Sequence, residues 1–507
     1  MNKLILKRYL LLLLLGTGAA SCKKQLEEVR PQTTLDQGSV LTDPNVAMTL
    51  YYGVYTSFRS QQSNFFVFGE MRSDLWADGL YTESEDGGLK QYWSHNLSQA
   101  NAPAANWSGF YSLVDRINTV IKLFPLSTVD AAKRSGYLAE MYGLRAYVYY
   151  TMLRTWGEVP LTREPVSTVG NLKDLYKARA PKEEVMKQIK ADIEQSLTLF
   201  GAANTIASGK RVTWNRPATL ILKGDVFLWS ATHMAGGNAD LNTAKTALEE
   251  VKALPVLGLQ ANYQDVFDQT KEANNKEIIF AISYEKDQAT VGTYGSFLVN
   301  TTQAGTLLLD AGTPQQQSVS AAYPLVGGAS RVGMSNAMIT KLNNPADRRI
   351  RPSFRIMYRN QAGFPIAAVM LTKFLGRVDA GTQLMDTDVP VYRYADVLLL
   401  LAEANTKLGG SPVAEINLIR ERAYGPGYTP YVNSTTDANM NAILDEYLRE
   451  FIGEGKRWWA LRRAGDTYVY NNVNPAYLSV ASSYKLLLPI SLGMLNSDPL
   501  LKQTFGY

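Results

Sequence analysis

Between Ala131 and Trp156 the chain carries two apolar stripes side by side. One is Met141, Leu144, Val148 and Met152; the other is Tyr142, Ala146, Tyr149, Leu153 and Trp156. Both advance in steps of three and four, the period of an α-helix. A helix apolar around so much of its girth has no face to give to water, so it must be sandwiched between other helices. Gly157 ends it, and Pro160 prevents it from resuming.

Suitable neighbours follow in the sequence. Trp107–Phe124 reads as a helix. Val185, Ile189, Ile193 and Leu197 form a stripe at steps of four. Arg216–Met234 is a long apolar-rich helix with Pro217 at a favoured starting position, closed by Gly236-Gly237. Leu241, Ala244, Leu248 and Val251 then mark a partner helix that Pro255 stops. A long helix, a short turn and a second amphipathic helix make the hairpin unit of tetratricopeptide-like stacks, although the strict repeat consensus is absent. Residues 256–390 are rich in Gly, Thr, Gln, Val and Tyr and predict loops and short strands, with a strand at 277–284. Helices return at Tyr394–Leu408, Val413–Tyr424 and about Ala438–Ala464, and Leu486–Ile490 is a last extended piece. The fold class is therefore mostly α: a tetratricopeptide-like helical-hairpin scaffold with a large irregular region of loops and short strands packed on it. Loops held by a rigid scaffold are where binding sites usually lie.

The first residues read as an address. Lys3, Lys7 and Arg8 form a positive start, Leu10–Leu15 is a short apolar run, and small residues lead to Cys22. That is the anatomy of a secretory signal peptide, and the run is too short for a bilayer span of about 20 residues. Ala19-Ala20-Ser21-Cys22 resembles a bacterial lipobox, with Ala19 where Leu is commonest, and implies lipid attachment at Cys22. Cys22 is the only cysteine, so no intrachain disulfide or multi-cysteine zinc site can form. Removing residues 1–21 takes three positive charges from a formal net charge of +5. No dense Lys/Arg run survives, which argues against a nucleic-acid partner. The expected organisation is a signal at 1–21, a lipidated tether at 22–43, a helical region at 44–255, and a second region at 256–507. That second region divides into an irregular part at 256–390, a helical part at 391–465 and a tail at 466–507, the whole forming one intertwined globular unit.

Short motifs recur through the mature chain in a characteristic order. They are Trp107-x-x-x-Tyr111 leading to Ile117-Asn118; Glu140-x-x-x-Leu144-Arg145-Ala146 leading to Trp156-Gly-Glu-Val-Pro-Leu161; Asn215-Arg216-x-Ala218; Asn275-Lys276-Glu277-Ile278-Ile279-Phe280; Asp347-Arg348-Arg349; Tyr392-Arg393-Tyr394-Ala395-Asp396-Val397 with Ala402-Glu403-Ala404; Ile416-Asn417-x-Ile419-Arg420-x-Arg422-Ala423; Glu454-Gly455-Lys456-Arg457-Trp458; and the ending Asn496-x-Asp498-Pro499-x-Leu501 with Phe505-Gly506-Tyr507. In this order and behind a lipoprotein signal, the chain resembles the SusD/RagB family of nutrient-binding outer-membrane lipoproteins. The resemblance implies four tetratricopeptide-like helix pairs on one side and a ligand site in the irregular region. It also implies lipid anchoring in the outer membrane of a Gram-negative bacterium, exposed at the cell surface. The acidic pair Glu27-Glu28 resembles the surface-export signal of such lipoproteins. The implied partners are a SusC-like TonB-dependent transporter and a glycan ligand, with a peptide ligand or a helical-repeat adaptor role as alternatives. No cofactor, no metal and no enzymatic activity are implied.

The motif residues read as structure. Arg145, Arg216, Arg393 and Arg420 lie in or beside apolar helices, where a guanidinium needs partners, and Glu140 and Glu403 are candidates. Arg457-Trp458 reads as an Arg stacked on a Trp at a helix seam. The binding expectation falls instead on aromatic residues outside the motifs, because 29 Tyr, 16 Phe and 8 Trp are an unusual store of flat apolar faces with polar tips. A sugar ring is held by such a platform together with forked hydrogen-bonding side chains. The expected ligand-binding residues are Arg72, Asp74, Trp76 and Tyr81 in one Gly-containing stretch, Trp93 beside Tyr92, His95 and Asn96, and Tyr294, Phe297 and Tyr323 in the irregular region. Each aromatic taken alone also fits a core position. A glycosidase pair could be drawn from Asp74, Asp78, Glu83, Glu85 and Asp86, but sequence spacing does not set their separation. Neither histidine, His95 or His233, lies in a nucleophile-elbow context, and the acids at 83–86 lack the ligand spacing of an EF-hand loop.

Overall fold

The computed structural model describes residues 37–80, 88–103, 105–166, 171–202, 206 and 210–507. The signal, Cys22 and the tether up to residue 36 lie outside the described residues, as do Tyr81, Glu83, Glu85 and Asp86. The long helices are α1 (Pro44–Ser60), α2 (Gln62–Glu70), α3 (Ser108–Leu123), α4 (Ala131–Trp156), α5 (Lys182–Phe200), α6 (Arg216–His233), α7 (Gly237–Lys252), α8 (Tyr394–Lys407), α9 (Val413–Tyr424), α10 (Thr436–Glu450) and α11 (Arg457–Ala464).

The 131–156 helix forms over the expected span, and both its stripes are buried apart from half-buried Tyr142. It packs on α3 and α5; α5 packs on α6, α6 on α7, α7 on α8, and α8 on α9 and α10. The hairpins α4–α5, α6–α7 and α8–α9 therefore stack in series. Each buries against the next the apolar face it cannot bury alone. Asn215 caps α6 by accepting from Ala218 N at 3.0 Å, and Pro217 occupies the first turn.

The short strands are β1 (Ala77–Asp78) in the N-terminal region and, from the irregular region onward, β2 (Ile278–Ile282), β3 (Leu307–Leu309), β4 (Gln317–Ser318), β5 (Val332–Gly333), β6 (Phe354–Arg359), β7 (Ile366–Leu371), β8 (Arg377–Asp379), β9 (Thr382–Leu384) and β10 (Val389–Arg393). The largest sheet is antiparallel in the order β4-β3-β6-β7, and β10 pairs with β2. Alternation along β7 explains what the sheet does. Val369 and Leu371 face the main core, whereas Ala368 and Met370 join a satellite core with Leu298, Val299, Leu307, Leu309, Val319 and Met357. The sheet thus fastens the excursion to the helices.

One expectation needs correction. The expected helix from about Ala438 to Ala464 is two helices, α10 and α11, separated by residues 451–456. Gly453 and Gly455 adopt φ of +80° and +74° there, which a continuing helix cannot accommodate. The piece Leu486–Ile490 joins no sheet; its first residue ends a 3-10 turn, and Leu488 N donates to Thr155 O at 2.8 Å.

The arginine partners also differ from those expected. Arg145 is held by Asp192 (2.7 and 2.9 Å) and Asn118 (2.8 Å), Arg216 by Glu250, and Arg420 by Glu446 at 2.7 Å. Glu403 pairs with Arg463 at 2.8 Å. Glu140 serves tyrosines, accepting from Tyr51 Oη at 2.5 Å and from Tyr55 Oη. Burial pushes its carboxyl up to about 7, against the opposing pull of those two donors. A carboxyl raised above its unfolded value of about 4.3 holds its proton in the folded state after the unfolded chain has released it. Its stabilising contribution is present below the unfolded pKa and is lost as pH rises through 7. Glu140→Gln keeps an oxygen for the tyrosines and removes the titration. Its unfolding free energy in urea should therefore fall less between pH 5 and 7 than that of the parent, with a residual slope from Glu70 and Asp388, which are also raised to about 7.

Candidate functional site

The charges of the C-terminal motifs converge on one buried hub. Arg393, at the end of β10, donates through Nη1 to Glu277 Oε1 (2.6 Å) and Glu450 Oε1 (2.7 Å), and through Nε to Glu454 Oε2 (2.8 Å). Arg422 reaches Glu277 and Glu450. Arg349 reaches Asp347, Glu446 and Glu450, and Lys373 donates to Glu454 Oε1 at 2.9 Å. Arg393, Arg349, Lys373, Glu277, Glu450 and Glu454 have no exposed side-chain surface. The guanidiniums beside Glu450 and Glu454 hold both carboxyls below the usual range despite their burial. The hub has no surface to offer a ligand; it ties the irregular region to α9 and α10.

Most of the aromatic residues expected at a site are interior. Arg72 lies over the Trp458 ring at 4.4 Å and donates to Leu486 O at 3.2 Å, so the stacking on Trp458 comes from Arg72 rather than Arg457. Asp74 takes a two-point bond from Arg457 (2.8 and 2.8 Å). Trp76 meets Phe297 edge-on at 4.7 Å, and both are buried. Tyr294 stacks on Phe374 at 4.6 Å and donates to Gly453 O at 3.1 Å. Trp93 and Tyr92 are buried, and Tyr92 donates to Pro103 O. Each ring therefore has protein on its faces. The histidines are placed likewise: His95 Nε2 lies 2.9 Å from Arg72 O, His233 Nε2 lies 2.8 Å from Arg462 O, and burial lowers the pKa of both. Asp78 pairs with Lys90 at 2.9 Å.

Tyr323 has a different setting. It is half-buried and lines an open cleft of about 490 Å³, together with Phe267, Arg351, Arg355 and Arg377, with the buried Lys373 behind them. The fold builds this cleft between the satellite core and the hub. Arg355 projects from β6, Arg351 from the turn just before it, Tyr323 follows a short helical turn at Val319–Ala322, and Arg377 opens β8. Arg355 Nη2 donates to Asp310 Oδ2 at 2.6 Å and its Nη1 lies 3.5 Å from Tyr323 Oη; Arg351 Nη2 donates to the other oxygen of Asp310. Arg377 is held by Asp386 (3.1 Å) and Asp379 (3.4 Å). Burial draws the Lys373 amine down to about 8. Gln264, Asp268, Gln269, Thr270, Thr372 and Thr387 add further polar lining. The cleft therefore presents one tyrosine ring amid many N–H and O–H donors, a surface suited to a ligand with an apolar face and an oxygen-rich edge. Arg351 and Arg355 were not among the residues expected from sequence. The available signal was two arginines four apart in the irregular region, outside the Asp347-Arg348-Arg349 motif.

Comparison with known proteins agrees with this architecture. Residues 359–507 match a family model described as "SusD family", and residues 21–210 match one described as "Starch-binding associating with outer membrane". The curated SusD-like protein P38 of Formosa agariphila is 26% identical, covering 98% of this chain and 98% of that protein. Among solved structures, NanU of B. fragilis is 32% identical with a TM-score of 0.84, covering 94% of this chain and 100% of that one. A SusD superfamily protein from Bacteroides vulgatus is 31% identical with a TM-score of 0.81, covering 91% and 99%.

Proposed function

Given that the chain belongs to the SusD/RagB family, we propose that it captures an oligosaccharide at the outer-membrane surface and passes it to a TonB-dependent transporter. The observation that carries this reading is the Tyr323 cleft: an accessible aromatic ring set among guanidinium and amide donors, on a rigid helical scaffold. The starch-binding, outer-membrane description of the family model matched by residues 21–210 supports both ligand class and location. Lipid attachment at Cys22 would supply the anchor. One acyl chain binds a membrane only marginally, so a stable anchor needs more than one. The role is capture without bond cleavage. Asp74 and Asp78 are engaged by Arg457 and Lys90, and both histidine rings bond to backbone carbonyls.

The test is calorimetry on the full chain in detergent, against a panel of oligosaccharides and short peptides, with each positive mixture analysed for breakdown products. Saturable binding to one saccharide class without breakdown is expected. Tyr323→Ala should weaken it about ten-fold, the ~1.4 kcal/mol of a lost ring–sugar contact. A Tyr323→Ala protein that binds as the parent does would remove the cleft as the site. Saturable binding of peptides alone would replace the glycan reading with a peptide one. Co-purification with a barrel transporter from outer membranes tests the delivery step.

A further inference from the structure

Charge along the cleft is unevenly placed. Arg377 and Lys286 together face Asp379 and Asp386, two cations against two carboxylates. Lys373 is matched by Glu454. Arg351 and Arg355, in contrast, converge on the single carboxylate of Asp310. Asp268, the one carboxylate among the described lining residues, accepts from Thr270 N and Oγ1 at 2.9 and 2.7 Å, so it balances the lining as a whole without pairing with either arginine. The Arg351–Asp310–Arg355 group thus carries one net positive charge at the cleft wall.

The geometry leaves that charge available. Arg351 uses Nη2 on Asp310, its side chain is 67% exposed, and among the described residues its guanidinium bonds only to Asp310. Its Nε and Nη1 remain open, each able to donate a single bond to an oxygen of a carboxylate or sulfate. Arg355 lies 3.5 Å from the Tyr323 hydroxyl, so charge and ring adjoin. Neutral hydroxyls satisfy the donors but leave the local charge of the Arg351–Asp310–Arg355 group unmatched, whereas an oxyanion answers both.

We infer that the cleft takes a sugar bearing an oxyanion, a carboxylate or a sulfate, held by Arg351 and Arg355 with the sugar ring against Tyr323. This rests on the glycan-binding reading above and names the chemical class of its ligand.

The experiment uses the full chain in detergent and three matched probes: an oligogalacturonate, its carboxyl-reduced neutral counterpart, and a sulfated galactan oligosaccharide of similar length. Affinities are measured by calorimetry at 50 and 300 mM salt. One acidic probe is expected to bind at least ten-fold tighter than the neutral one, the preferred acid identifying carboxylate or sulfate. The preference should shrink with salt, as an exposed ion pair does. In Arg351→Gln, whose exposed position spares the fold, the acidic-to-neutral ratio should fall towards one, and Arg355→Gln should act in the same direction. Equal affinities for acidic and neutral probes would overturn this inference and leave the glycan reading standing. An acidic preference unmoved by Arg351→Gln would overturn the assignment to this arginine pair. Silence towards all saccharides would overturn both readings.

Discussion

Arg393→Met is expected to lower the free energy of unfolding by about 3–5 kcal/mol, the range for removing one member of a buried ion network. Arg393 makes ion pairs with Glu277, Glu450 and Glu454, and it also donates to the backbone oxygen of Glu450 at 2.8 Å. Methionine fills much of the same volume, so lost packing is the smaller part of the effect. The larger part is the charge left behind. Lys373 and Arg422 remain near these three carboxylates, and Glu450 keeps Arg349. No water replaces the missing guanidinium cheaply in a site without exposed surface. Urea denaturation at pH 7 measures the loss, and a drop below about 1 kcal/mol would show that the hub does not lock the irregular region to the helices.

The same variant makes a prediction about acid. In the parent, Glu450 and Glu454 titrate below the usual carboxylate range because of their cationic neighbours. A depressed carboxyl contributes stability above its unfolded pKa, about 4.3, and that contribution is lost as pH falls through the folded value. The parent should therefore lose stability steeply below pH 4. Arg393→Met, whose carboxyls are less depressed, should start lower and show a shallower acid slope.

The hub also explains which parts of this protein were legible in its sequence. Asn275-Lys276-Glu277, Asp347-Arg348-Arg349, Arg393, Arg420-x-Arg422 and Glu454 are separated by up to about 180 positions, and each alone is a weak pattern. The structure joins Glu277, Asp347, Arg349, Arg393, Arg420, Arg422 and Glu454 in one charge network, and the order of the motifs that carry them identified the family and hence the fold. Helices were legible for a local reason: the stripes of α4 and the boundaries of α9 follow from residue spacing and from Gly or Pro at the ends. Pairing was not legible. Glu140 lies one helical turn and a residue from Arg145, yet the side chains point to different neighbours, Tyr51 and Asp192. Burial of rings was not legible either. Trp76, Tyr294 and Tyr323 carry similar local context, but the first two meet Phe297 and Phe374 across the fold while Tyr323 meets a cleft. A ring's environment is set by contacts distant in sequence, and composition alone does not report it.

Gly69→Val should cost about 3 kcal/mol or more, beyond the usual range for overpacking because the clash is with backbone. Helix α2 crosses the segment 451–456 at this residue. A Cβ built on Gly69 would lie 1.8 Å from Gly455 O and 2.6 Å from Trp459 Nε1, so even alanine forces a shift. The next residue makes that shift costly. Glu70 is fully buried, and its carboxylate accepts from Gly453 N (2.8 Å), Gly455 N (3.0 Å) and Lys456 N (3.1 Å). Those amides point at one carboxyl because the segment turns back through positive φ at Gly453 and Gly455. Pushing the helix away would strand three backbone donors and a buried carboxyl together, each costing about 1–3 kcal/mol when unpaired. A graded series settles whether the crossing is tight: Gly69→Ala should lose part of the stability and Gly69→Val most of it, with amide protection at 453, 455 and 456 falling in step by hydrogen exchange. If Val is tolerated within about 1 kcal/mol, α2 and α11 slide freely, and the break between α10 and α11 has no fixed anchor in Glu70.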